Sequence, residues 1–356
     1  MSTASYSADP DIIYIDAAVR GLPATQQLLA QLGTTTTTET IDDLTTLVYP
    51  DDPAAAKRRW ALTEAPKPWF RPLVKIPSSE IGAETAEAPS LHWCTDFVLN
   101  APYECSYFPF PNPKLRRPIV SVHVNLDEML TDFSRRANRV VNQQFVLRCG
   151  DAGDALAIDH YTHFAARLIP CFAWTRHAQL ELWTRTANVQ HLIGLEHRGQ
   201  TTIVFAVAPD DFIRRNERGT APLADRLAAA AALADAGYRI ICSLDPIVQG
   251  PDWETHYDTL IDQLLAAVPA AALQGIELSC LHYPRGYAPQ GQQRFPETSI
   301  YFGELVPVNG CYRYFRPVRQ QMYAYLTAAI HYRRATVPIT ITREHGLLAA
   351  PSHNLN

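Results

Sequence analysis

The chain has 356 residues, 47% of them hydrophobic and 19% charged, with a formal net charge of −5. Such a chain can bury a full core and has room for one large domain, or one large and one small. The acidic balance excludes a generic polyanion binder, because Lys and Arg supply most non-specific affinity for nucleic acid, and no apolar run approaches the roughly 20 residues that cross a bilayer.

The first residues carry no basic segment followed by an apolar one, so secretion is not expected and a cytoplasmic location is. An apolar run at 12–15 is followed by a helical pattern at 23–32, β-favouring threonines at 34–38 and a second helical stretch near 54–62. A connector bearing Pro, Ser and Glu runs from 66 to 89 and reads as a long irregular linker. Residues 1–88 are therefore expected to form a small α/β region.

From residue 91 short β-rich runs alternate with helical patterns. The runs fall at 91–98, 119–124, 144–148, 179–184, 201–207, 239–244 and 275–281; helical patterns lie at 127–141, 159–168, 188–195, 221–236 and 253–267. Gly237 stands where a helix would end. Short apolar strands separated by helices imply parallel pairing with right-handed crossovers, hence a barrel or partial barrel over 89–285. Its chemistry is expected at the carboxyl ends of the strands. Residues 286–356 read as a C-terminal extension: a turn at Asn309-Gly310, an Arg-aromatic ladder, then a capping helix with Val318, Met322, Tyr325 and Leu326 on one side.

Several polar residues fall at the inferred mouth. Asp154, Asp159 and His160 follow a strand and open a helix; Asp159 fits either a helix-start carboxylate or, with the others, a ribose contact or general base. Asp245-Pro246 and His282-Tyr283 close later strands and are candidates for ligand contact. Trp253 and Tyr257 read as packing, and Gly150-x-x-Gly153 is too weak a pattern for a nucleotide loop. His92-x-Cys94 with Cys105 has no metal-site spacing, so no metal site is expected. The seven scattered cysteines read as reduced core thiols, and the arginines at 116–117, 135–139, 214–218 and 313–319 as solvated faces or ion pairs.

The segments PIVSVHVNLDEML (118–130), GDAGDALAIDH (150–160) and LELWTRTANVQHLI (180–193) occur in one order with a long stretch at 217–261 and YRYFRPVRQQMY (312–323). Together they resemble the spore photoproduct lyase family of radical S-adenosylmethionine (SAM) enzymes. The resemblance implies a partial TIM-type (βα)6 barrel of the radical SAM type. It also implies a four-iron cluster held by Cys-x3-Cys-x2-Cys after the first strand, SAM bound on that cluster, and reversal of a thymine photodimer in DNA. Laid on this chain, the three ligand positions fall on Ala101, Cys105 and Phe108, so two thiolates are missing. Tyr107 is kept, while the adjoining aromatic is Pro109. The family's hydrogen-donor cysteine corresponds to Asp151, and its SAM-carboxylate lysine to Arg185, a change that keeps the cation and adds a bidentate fork.

The expected function follows from that departure: a SAM-binding protein without an iron–sulfur cluster that catalyses polar alkyl transfer or cyclisation on a small-molecule substrate. Asp151, Asp154, Asp159 and His160 are its candidate catalytic residues, and Tyr107, Cys105, Arg185, Asp245 and His282 its candidate cofactor contacts. Duplex DNA is the less favoured partner, for want of a basic base-flipping cleft. Two alternatives stay open: a non-catalytic binding or regulatory relative, and a radical lyase acting on DNA photoproducts with an atypical cluster.

Overall fold

The computed structural model describes residues 9–33, 36–48, 52–72, 75–77, 91–108, 119–137, 144–175 and 177–344. Pro109, Arg116, Arg117, Arg139 and most of the expected linker lie outside them.

The first part of the chain runs β1 (Ile12–Asp16), α1 (Pro23–Leu32), β2 (Thr37–Ile41), α2 (Pro53–Lys57) and β3 (Arg59–Thr63), then two short edge strands, β4 (Arg71–Pro72) and β5 (Lys75–Pro77). Next come β6 (Leu91–Thr95), β7 (Val98–Leu99), β8 (Glu104–Cys105), β9 (Val120–His123), α3 (Leu126–Ala137), β10 (Phe145–Cys149), α4 (Asp159–Thr162), α5 (Phe164–Ala173), β11 (Ala178–Thr184), β12 (Thr201–Val207), α6 (Asp210–Asn216), β13 (Glu217–Arg218), α7 (Leu223–Asp235) and β14 (Arg239–Ile247). The chain closes with α8 (Trp253–Ala267), β15 (Leu273–Cys280), β16 (His282–Pro284), α9 (Ala288–Arg294), β17 (Leu305–Val308), β18 (Cys311–Tyr314), α10 (Arg316–Arg333) and β19 (Ile339–Thr342). The stretch near 54–62 is thus a short helix followed by a fully paired strand, because alternate packing of Trp60 and Leu62 against the core outweighs the helical propensity of Ala54 to Ala56.

The main sheet has the order β4-β6-β10-β11-β12-β14-β15-β19-β5. Strands β6, β10, β11, β12, β14, β15 and β19 are mutually parallel and form a curled half-barrel. Its curvature is visible in one side chain. Arg148 on β10 donates to Glu181 on adjacent β11 at 2.7 Å and to Glu277 on β15 at 2.8 Å. Three strands separate β10 from β15 in the sheet, a lateral gap of about 19 Å if flat. The two faces must therefore turn towards each other, and the three charges fill the barrel interior.

Two features differ from the sequence expectation. The run at 119–124 leaves the barrel: β9 pairs in parallel with β3, in a second sheet of order β2-β1-β3-β9-β7. Its place in the count of parallel strands is taken by β19 from the C-terminal part. Strands from either side of residue 88 consequently share both large sheets, and the small sheet β16-β18-β17 spans residue 285.

Several local expectations match closely. α1 and α8 occupy 23–32 and 253–267, Gly237 adopts φ +87° at the end of α7, and Asn309-Gly310 turns the β17-β18 hairpin with both φ positive. The helical stretch at 188–195 is only a 3-10 turn over Gln190–Leu192. No helix among the described residues is long and apolar enough to cross a membrane.

Candidate functional site

The carboxyl ends of the barrel strands enclose a cavity lined by Asn100, Ala101, Tyr103, Cys105, Tyr107 and Phe108 on one side, and by Asp151, Trp183, Arg185, Asp245, His282 and Arg343 on the other. Its atom-free space is about 650 Å3, part of it open to solvent.

The glycines of the 150–153 turn are required by close approach. A Cβ on Gly150, at φ +102°, would lie 2.6 Å from the Trp183 carbonyl oxygen, and one on Gly153 would lie 2.1 Å from that of Val98. Their function is to bring backbone against backbone rather than to cradle a phosphate. Beside them Asp154 is 1% exposed and accepts from the Arg185 amide at 2.7 Å, the Thr184 hydroxyl at 2.7 Å, and the Leu156 and Ala157 amides at 2.9 and 3.0 Å. Burial pushes its carboxyl above the usual range, against these donors. Asp154 holds the strand end that carries Arg185.

Arg185 is 9% exposed. Its Nε donates to the Tyr107 hydroxyl at 3.1 Å and lies 3.7 Å from the Glu217 carboxylate, while its guanidinium sits 4.1 Å from the Trp183 ring centre. Among the described residues no hydrogen bond uses its two Nη groups, which leaves that half of the fork to the cavity. Tyr107 donates to Glu217 at 2.6 Å, and Glu217 also pairs with fully buried Arg226 at 2.5 Å. Burial pulls the Glu217 carboxyl upward, yet Arg226 and Arg185 outweigh it and hold the group below its ordinary value.

Across the mouth, Arg343 donates to Asp151 at 3.1 Å and stands 3.6 Å from Asp245. His282 faces the same space; burial first and Arg343 second lower its pKa to about 4, so the ring is neutral at neutral pH. In the ion pairs running from the barrel interior to the mouth, four arginines (148, 185, 226, 343) face five carboxylates (Asp151, Glu181, Glu217, Asp245, Glu277).

Six predicted positions, Cys105, Tyr107, Asp151, Arg185, Asp245 and His282, line the cavity. Asp154, Asp159 and His160 do not. Asp159 accepts from the Ala165 amide at 3.1 Å and the Thr162 hydroxyl at 3.0 Å, and meets His191 Nε2 at 3.0 Å; it fastens α4 to α5. His160 packs against Tyr161, its pKa lowered by burial and by nearby His191. Sequence reasoning missed Glu217, Arg226, Trp183 and Arg343.

Could the loop at 101–108 hold a four-iron cluster? Cys105 is its sole sulfur donor, 8% exposed, and burial pushes its thiol up to about 11 despite nearby Arg185. Iron ligation needs several thiolates, and this thiol favours its proton. The loop is instead tied to protein: Glu104 pairs with Arg294 at 3.2 Å and Lys57 at 3.5 Å, and the Ser106 hydroxyl donates to Asn216 at 2.7 Å. Among the described residues no three His, Cys, Asp or Glu side chains are grouped to hold a metal. The donor set does not fit the cluster.

A curled half-barrel of parallel strands, with a charged cavity at their carboxyl ends, defines the chain as a partial-TIM-barrel protein with its site at the barrel mouth. The family model for spore photoproduct lyase matches residues 88–305, more than half of the chain, and the chain belongs to that family. Spore photoproduct lyase of Bacillus subtilis is 29% identical over 181 residues, covering 51% of this chain and 53% of that protein; the enzyme of a Geobacillus species is 27% identical over 219 residues, covering 60% and 63%. The matched stretches thus span about half to two thirds of those relatives' lengths. Among solved structures, two spore photoproduct lyase variants, one with bound AdoMet and dinucleoside spore photoproduct, each give a TM-score of 0.80 at 20% identity, covering 93% of this chain and 98% of theirs. That likeness shows the fold.

Proposed function

We propose that this chain binds SAM at the barrel mouth and acts on its substrate without a cysteine-ligated iron–sulfur cluster, by chemistry that moves electron pairs. One observation carries the reading: beside a loop with a single protonated thiol, Arg185 keeps a buried guanidinium whose Nη groups are left to the cavity. That fork suits a carboxylate in bidentate contact. Asp151 and Asp245 would take the cationic end, with Trp183 and Tyr107 as aromatic walls.

When bound, SAM supplies an alkyl group activated by the sulfonium. The chain's own residues bind, orient and exclude water: Asp154 fixes the Arg185 backbone, Tyr107 and Glu217 fix its side chain, and neutral His282 offers a ring nitrogen towards the cavity. A cytoplasmic location belongs to the same proposal and accords with seven free thiols.

Two observations support other readings. Asp154 and Asp159 are saturated by structural hydrogen bonds, which favours a binding role without turnover. Solved relatives carry dinucleoside spore photoproduct, which favours a nucleic-acid fragment as second ligand over a small metabolite. The test is calorimetry on purified, iron-free protein. Saturable heat with SAM, lost in a folded Arg185→Met variant, supports the proposal; no heat from the unaltered protein overturns it. A dinucleotide titration of the SAM complex separates the substrate classes.

A further inference from the structure

Arg343 lies beyond the family-matched segment, which ends at residue 305, and directly follows the last barrel strand. It is not a surface arginine by chance. Its backbone stands at φ +61°, a conformation that disfavours any residue but glycine. The chain holds it there from both sides. Arg313 donates to the Arg343 carbonyl at 2.7 Å, and the next residue, Glu344, is 4% exposed and accepts from Arg319 at 2.9 and 3.1 Å, Tyr323 at 2.7 Å and Arg313 at 3.2 Å. A buried network of four side chains on β18, α10 and the chain beyond β19 therefore points one guanidinium into the mouth.

What that guanidinium touches there is specific. It bridges Asp151, after β10, and Asp245, near the end of β14, at 3.1 and 3.6 Å, and lies 6.0 Å from the centre of the Trp183 ring that Arg185 covers on its own side. β10 and β14 are not neighbours in the sheet, so no backbone pairing fixes these two acids relative to each other. Arg343 does. The pinned backbone argues for a fixed support and against a swinging strap, since a rigid surrounding shell is what holds site groups in place.

We infer that Arg343 is a positioning residue: it sets Asp151 and Asp245 as the seat for the positively charged part of the ligand, so the C-terminal strand is an integral part of the site. The inference rests on the reading of the mouth as a SAM site and deepens it, because it assigns the selection of a cationic over a neutral ligand to one residue.

The experiment compares SAM with S-adenosylhomocysteine, which lacks the sulfonium charge, by calorimetry on the full chain, unaltered and as Arg343→Met and Arg343→Lys. The variant that decides is Arg343→Lys, which keeps a cation beside the acids but loses the fork that bridges them; the expected result is that it narrows the preference for SAM by about fivefold or more. Arg343→Met also removes a positive charge from beside the ligand, which by itself favours the cation, and thermal midpoints should stay close. Equal losses for both ligands, or no change, overturn the positioning role alone. If the unaltered protein binds neither ligand, the SAM reading fails and takes this inference with it. Should Arg343→Lys not fold, Arg343→Met decides: a preference narrowed despite the lost cation supports the inference, and an unchanged or widened preference overturns it.

Discussion

Replacing Glu217 by Gln is the sharpest probe of how the mouth is held together. The side chain is fully buried and accepts from Tyr107 at 2.6 Å, from Arg226 at 2.5 Å and from Thr220 at 3.3 Å. Gln keeps the shape and one acceptor but removes the carboxylate that, among the described residues, alone pairs with Arg226, whose other partners there are the Ala206 and Ala221 carbonyls and the Thr220 hydroxyl. Removing one partner of a buried ion pair costs about 3 to 5 kcal/mol, because the other charge stays buried. The retained acceptor places Glu217→Gln near the lower limit, about 3 kcal/mol. For a chain of this size about 2 °C per kcal/mol is expected, so the midpoint should fall by roughly 6 °C. The assay is urea and thermal unfolding of the single variant, of Arg226→Met, and of the double variant. The double variant should be clearly more stable than the sum of the single losses, since the two residues share one interaction. A loss below about 1 kcal/mol for Glu217→Gln, with strictly additive effects, would refute the reasoning.

Two further outcomes follow from the same geometry. Burial lowers the Lys57 amine to about 7, a shift that Glu104 only partly offsets. Between pH 7 and about 8 the unfolded chain keeps this proton while the folded chain sheds it, so stability from this group rises with pH; the buried thiols, which ionise more readily in the unfolded chain, act in the opposite direction above that window. Lys57→Met should make the slope less positive, and an unchanged slope in urea titrations at pH 7, 7.5 and 8 would rule the account out. Asp154→Asn should weaken SAM binding and lower stability together, by about 1 to 3 kcal/mol for the lost acceptor. Loss of turnover with affinity and stability both intact would instead mark Asp154 as a base.

The alternation of short apolar strands with helices was readable because parallel strands buried on both faces leave near-continuous apolar runs. The exception is instructive. The run at 119–124 has the same composition as the barrel strands, and only its tertiary pairing with β3 assigns it to the other sheet. Asp245 and His282, at strand ends, could be placed by counting strands, whereas Arg185, Cys105 and Tyr107 were legible only through the family resemblance. Asp154, Asp159 and His160 were misread as mouth residues because a strand-to-helix turn rich in aspartate looks the same whether its carboxylates face a ligand or cap amides. A signal for the barrel-interior ions did exist: Arg148, Glu181 and Glu277 are each the one charged residue of their strand, and a buried charge needs a partner. Glu217 and Arg343 gave no such signal. Their partners are brought to them by α7 and by strand ends distant in the chain, which spacing alone does not encode.

The central claim is that this mouth operates without a metal cluster, and iron analysis after anaerobic reconstitution with iron and sulfide tests it most directly. The account predicts no stoichiometric iron in the repurified protein and the same heat of SAM binding before and after the treatment. About four irons per chain, with 5′-deoxyadenosine formed from SAM on adding a reductant, would contradict it.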